Sequence, residues 1–214
     1  MNSSPESRLI DISRPLAATT ACWPGDVPFA FRLSCRIRDG ASVNVGVVET
    51  SIHAATHCDA PYHFDDAGNT VDQLALAPFL GPAWIVDVRG CQRWGPRLEN
   101  LDFENTPRVL FRSDGWPDSS RFPAQIPVME PELPDWLGKR GVVLIGVDLP
   151  SVDAIDSKTL TNHHALARAG IVFLEGLWLC EPDEGRYELI ALPLKIAGAD
   201  GAPVRAAVRA IGSR

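Results

Sequence analysis

Nine short runs of β-branched or alternating apolar residues dominate this chain: LIDIS, FAFRLSCRI, SVNVGVVETSI, AWIVDVR, RVLFR, GVVLIGV, IVFLEGLWL, YELIALPL and PVRAAVRAI. Gly, Pro, Asn or Asp bounds them. Such runs fit a pleated strand, where successive side chains face opposite sides and branched Cβ atoms pack well. Segments with helical spacing are fewer: VDQLALAPFL at 71–80, EPELPDWLGKRG at 130–141 and DSKTLTNHHALARAG at 156–170, the last closed by Gly170 as a C-terminal cap. Eighteen prolines, many between Trp94 and Pro134, imply long ordered loops. No repeat or composition shift divides the 214 residues, a length that suits one domain with a substantial core. The expectation is a single strand-rich α/β domain over 1–214, built on a mixed sheet.

Composition narrows the function classes. A net charge of −7 with no basic run argues against nucleic-acid binding. No run of about 18 apolar residues suggests a membrane span, and MNSSPESRLIDIS lacks the basic and apolar regions of a signal peptide, so a cytoplasmic protein is expected. Five scattered cysteines without C-x-x-C indicate neither a disulfide framework nor a zinc knuckle.

The five histidines fall into two clusters, His53, His57 and His63 within HAATHCDAPYHF, and the adjacent pair His163 and His164. A helix does not suit the first cluster: at about 100° per residue Asp59 would point away from His57, and Pro61 excludes Ala60 from the α region. On an extended backbone His53, His57 and Asp59 share parity, and SVNVGVVETSI would supply the strand. Two imidazoles and a carboxylate are the ligands of an open, catalytic zinc site. Each residue alone would be an ordinary strand or turn residue; together they favour an ion. Cys58 has the opposite parity and reads as a buried apolar filler.

In IVFLEGLWL, Glu175 interrupts an apolar strand, and a buried carboxylate needs a proton, a hydrogen bond or a cation. No Lys or Arg lies between Arg168 and Arg186, which leaves a metal as the simplest partner. His163, twelve residues upstream at a helix start, would reach the same place; His164 would point about 100° away. Five ligands exceed what one open tetrahedral zinc accepts, so two ions bridged by a carboxylate fit better, with Asp59 able to bridge. His63, beyond the turn at Pro61, is the natural acid or base.

HAATHCDAPYHF resembles the H-x-G-T-H-x-D-x-P-x-H signature of the bacterial metal-dependent kynurenine formamidases of the cyclase-like hydrolase family, with Ala55 where glycine is usual. The likeness continues through DISRPL, WPGD, GVDLPSVD, NHHAL with LEGL, and YELIALPLKIAGADGAPVRA. The resemblance implies a swivelling β/β/α fold and a homodimer. It implies one zinc on His53, His57 and Asp59, with Asp59 shared to a second ion held by His163 and Glu175. It makes His63 the proton donor and acceptor, and Trp23 the substrate-contacting tryptophan. The implied reaction is hydrolysis of N-formyl-L-kynurenine to L-kynurenine and formate in tryptophan breakdown, with metal-activated water attacking and His63 protonating the aryl nitrogen. Zinc and manganese both suit mixed imidazole and carboxylate ligands. An isatin-type lactam hydrolase keeps the site and changes the substrate; a non-catalytic metal binder leaves His63 without a role. A serine hydrolase has no G-x-S-x-G elbow, and Ser113 and Asp114 in FRSDGW read as a strand-to-turn junction.

Overall fold

The computed structural model describes residues 8–96 and 101–211. Its strands are β1 (Leu9–Asp11), β2 (Ala30–Cys35), β3 (Val45–Glu49), β4 (His57–Asp59), β5 (Leu80–Asp87), β6 (Arg93–Trp94), β7 (Arg108–Arg112), β8 (Val128–Met129), β9 (Leu144–Val147), β10 (Val172–Glu175), β11 (Gly185–Ile190), β12 (Gly201–Pro203) and β13 (Ala207–Ala210). Nine of them form one mixed sheet in the order β1-β13-β11-β5-β7-β9-β10-β4-β12, while β2 pairs with β3 and β6 with β8 outside it. The centre, β5-β7-β9-β10, is parallel; the strands on either side are antiparallel.

Parallel strands covered on both faces read as continuous apolar runs, and RVLFR is such a strand, buried throughout. Its alternate residues enter different cores. Val109 and Phe111 pack with Ile145, Val147 and Phe173 under the helices α1 (Leu133–Gly138) and α2 (Thr161–Arg168), which contribute Leu133, Leu137 and Leu166. Leu110 faces the other way, among Ile12, Ile85, Leu144, Leu174 and Leu189. Burying each such side chain stabilises the fold by about 1.5–3 kcal/mol. The second core lies inside a curl of the sheet: Ile12 N–H donates to Ala206 O while Ile12 O accepts from Trp178 N–H, so the chain leaving β1 ties the segment before β13 to the segment after β10.

Several expectations need correction. Residues 71–80 form two single 3₁₀ turns, Val71–Gln73 and Ala77–Phe79, not a helix. The first turn ends where Leu74 returns to extended backbone, with ψ of 140°, and Pro78 has no N–H with which to continue a helix. The helix at 130–141 shrinks to the six residues of α1. PVRAAVRAI is shared between β12 and β13. The run at 42–52 stops at Glu49 in the β2–β3 hairpin and does not continue into β4. Gly170, with φ of 71°, closes α2 as expected. None of the helices is long and apolar enough to cross a membrane among the described residues.

Candidate metal centre

Strand β4 is only His57-Cys58-Asp59, yet it is hydrogen-bonded on both sides, to β10 and β12. Alternation sends Cys58 into the core beside Leu174 and leaves His57 and Asp59 on the other face. The register sets Glu175 directly opposite His57, so the carboxylate that interrupts an apolar strand faces the first histidine cluster. Glu175 is 3% exposed, so its carboxylate is held away from water.

His53 reaches the same face by another route than the sequence suggested. It sits in a turn, not on a strand, because the chain reverses at Ala55, whose φ is 57°. Left-handed backbone costs a non-glycine residue roughly 1–2 kcal/mol, which explains why glycine is usual there. Thr56 secures the turn: its hydroxyl donates to Gly176 O at 2.6 Å and accepts Arg14 N–H at 2.8 Å. Gly176 cannot carry a side chain, since a Cβ would lie 2.0 Å from Ala55 O.

The donors converge on Asp59. Its Oδ1 is 2.8 Å from His53 Nδ1 and 3.3 Å from His57 Nε2, while Oδ2 is 3.4 Å from His163 Nε2. Glu175 Oε2 lies 3.4 Å from His57 Nε2 and Oε1 3.8 Å from His163 Nε2, with Oε1 also accepting Val152 N–H. Each imidazole is held from behind. His57 Nδ1 faces Ala55 O at 3.1 Å, His163 Nδ1 faces Asp153 Oδ2 at 2.7 Å, and His53 Nε2 faces Asp200 Oδ2 at 2.8 Å. Such partners fix the tautomer and turn the other nitrogen toward an ion.

Burial presses His57 and His163 toward neutrality, but the neighbouring carboxylates outweigh it: Asp59 and Glu175 hold His57 at about 10, and Asp153 and Asp59 hold His163 at about 10. Burial likewise works against an ionised Asp59, yet His163, His53 and His57 keep it well below the usual carboxylate range. The site demands positive charge. A metal fits that demand: His57 Nε2 is buried and has no well-formed hydrogen bond, and ligands about 2.0–2.1 Å from a tetrahedral ion stand about 3.3–3.4 Å apart, the spacing seen around it. Among the described residues, three groups of side chains could hold an ion: His53, His57 and Asp59; Asp59, His63 and His163; and His53, His63 and Asp200.

These residues floor an open cleft of about 380 Å³, and Trp23 and His63 line it too. The ring of His63 lies 3.9 Å from that of His53, with Nδ1 3.5 Å from Asp200 Oδ2, and its side chain is 32% exposed. His164 packs on Phe64 outside the cleft. Ser113 and Asp114 form a junction in which Asp148 accepts both backbone N–H groups and the Ser113 hydroxyl. Sequence reasoning missed Asp153, Asp200, Asp26 and Ser51. The two distal aspartates sit in GVDLPSVD and GADG, where an aspartate ordinarily reads as a turn residue.

The family described as "Putative cyclase" matches residues 10–154. The chain belongs to this cyclase family. Among curated relatives of the cyclase-family chain, the kynurenine formamidase of Bacillus cytotoxicus is 46% identical over 204 residues, 95% of this chain and 98% of that protein. The kynurenine formamidase of Geobacillus thermodenitrificans is 45% identical, with the same 95% and 98% coverage. Isatin hydrolase A from Labrenzia aggregata shares the fold at a TM-score of 0.78 and 22% identity, over 94% of this chain and 93% of that one. A protein described as "Potential Metal-Dependent Hydrolase With Cyclase Activity" does so at 0.78 and 22%, over 94% and 96%.

Proposed function

We propose that this chain is an arylformamidase that hydrolyses N-formyl-L-kynurenine to L-kynurenine and formate. The carrying observation is identity of 46% and 45% with kynurenine formamidases over nearly the whole of both chains. The isatin-type alternative has a likeness of fold alone, at 22% identity.

His53, His57 and Asp59 would hold one divalent ion, and Asp59, His163 and Glu175 a second, with zinc the first expectation and manganese compatible. When bound, such ions polarise a carbonyl oxygen and lower the pKa of water toward about 7. The protein's own groups do the rest. Asp59 and Glu175 supply the negative charge that the ions require. Trp23, in the wall of the cleft, packs against the substrate's aromatic ring, a contact of about 0.5–1.5 kcal/mol. His63, at the solvent side with one edge toward Asp200, carries a proton to the departing aryl nitrogen, since an unprotonated anilide is a poor leaving group. The enzyme works in the cytoplasm in tryptophan breakdown as a homodimer. Exposed Phe31, Val45 and Val48 on the β2–β3 hairpin supply an apolar contact surface for the second copy.

Metal analysis of protein purified without added salts, paired with an absorbance assay on N-formylkynurenine and on isatin, tests the reading. Bound divalent metal with turnover of the formamide supports it. Preference for isatin, or metal without hydrolysis of either compound, removes it.

A further inference from the structure

We infer that Asp26 recognises the α-ammonium group of the substrate, so that the cleft selects aryl ketones whose side chain carries a cationic amine. This rests on the formamidase reading and adds the binding determinant for the amino-acid end.

The geometry begins with WPGD. Asp26 N–H donates to Trp23 O at 3.0 Å and Gly25 has φ of 101°, the signature of a type II turn with proline and glycine in its central positions. The first and last residues of such a turn lie within about 7 Å of each other, and both Trp23 and Asp26 line the cleft. In kynurenine two carbons separate the aromatic ring from the carbon that bears the ammonium. A ring packed on Trp23 therefore brings its ammonium within reach of the Asp26 carboxylate.

The turn is fixed relative to the metal ligands. The Ser51 hydroxyl donates to Asp26 Oδ2 at 2.9 Å, Ser51 N–H donates to Val27 O, and the Ser51 oxygen accepts His53 N–H. Phe122 meets the Trp23 ring edge-on at 5.1 Å. The aromatic wall, the carboxylate and the His53 turn are thus one connected unit, and a substrate held by the first two presents its formyl group at a set distance from the third.

Charge singles out Asp26 among the four carboxylates of the cleft. Asp59 and Glu175 face the imidazoles of the floor, and Asp200 is engaged by His53 and His63. Asp26 is held through one oxygen by a neutral hydroxyl, and among the described residues it forms no ion pair. No lysine or arginine lines the cleft among the described residues, so the wall offers a match to the ammonium and none to the carboxylate of the amino acid.

Two measurements test this. The first compares kcat/KM for N-formylkynuramine, which has the ammonium but no carboxylate, with 2-formamidoacetophenone, which has neither, in wild type and Asp26→Asn. The ratio between the two substrates should fall about ten- to hundredfold in the variant, the range of a lost charge-assisted hydrogen bond. An unchanged ratio, whatever the absolute activities, overturns the assignment. The second needs no turnover: calorimetric titration of the wild type and Asp26→Asn with kynuramine and with 2-aminoacetophenone. A preference for kynuramine that weakens with salt and is lost in Asp26→Asn supports the assignment; equal affinities in the wild type, or a preference that the variant keeps, overturn it. If neither formyl compound is hydrolysed the amidase reading fails, and the titration still decides what Asp26 binds.

Discussion

Replacing Asp153 by Asn should weaken metal binding without unfolding the protein. The carboxylate takes His163 Nδ1–H at 2.7 Å, His163 N–H at 3.1 Å and Asn162 N–H at 3.0 Å, so it both caps the start of α2 and forces the proton onto Nδ1. Nε2, facing Asp59 and Glu175, is then the nitrogen that gives up its proton to an incoming ion. An asparagine has nearly the same shape, and its amide oxygen in the Oδ2 position would keep all three donors, since His163 Nδ1–H, His163 N–H and Asn162 N–H all reach that one oxygen. The ring then keeps its tautomer but loses the negative charge behind it, which makes Nε2 a poorer ligand for an ion. Loss of such a supporting partner costs about 10–100-fold in metal affinity, or about 1.4–2.8 kcal/mol. The fold loses only the charge assistance of its hydrogen bonds, about 1 kcal/mol, equivalent to a fall in Tm of about 2–4 °C for a chain of this length. Calorimetric titration of chelator-stripped protein with zinc, beside a thermal melt, separates the two effects. Wild-type affinity for every ion bound by Asp153→Asn would refute the reasoning.

His63→Ala should abolish turnover while metal content, measured by elemental analysis, stays at the wild-type level; loss of metal would make His63 a ligand. Gly176→Ala should destabilise the protein by several kcal/mol, because the new Cβ meets Ala55 O at 2.0 Å and φ is 64°, and a soluble, fully metal-loaded variant would contradict this. In metal-free protein His57 and His163 titrate near 10, above the 6.5 of the unfolded chain. The stability they contribute is complete below pH 6.5 and is lost as the pH rises through 10, so the Tm of stripped protein should fall over that interval, and a flat profile would count against it. Phe31→Asp on the exposed hairpin should shift the protein from dimer to monomer in light scattering, and an unchanged mass would place the contact elsewhere.

The donors were legible because their chemistry is scarce: five histidines in two clusters and one glutamate in an apolar strand leave few ways to satisfy them. Parity read His57 and Asp59 correctly, since those two residues do lie on one strand. It misplaced His53, because nothing in an alanine announces a positive φ and the preceding strand ends at Glu49. Local apolar spacing over 71–80 suggested a helix, and the extended backbone at Leu74 with Pro78 decided otherwise. Asp26, Asp153 and Asp200 stayed hidden for one reason. Each sits where an aspartate serves a turn, and only the tertiary fold turns its carboxylate toward a partner residue.

The position of β4 between β10 and β12 has a consequence for biosynthesis. His57 and Asp59 leave the ribosome with no neighbouring strand available, and their second flank, Gly201–Pro203, follows about 140 residues later. At 5–20 residues per second that is a wait of about 7–28 s. Ion capture by the proposed ligands would therefore be a late step of maturation, and a chelator added to a cell-free translation near chain completion should arrest it as fully as one present from the start.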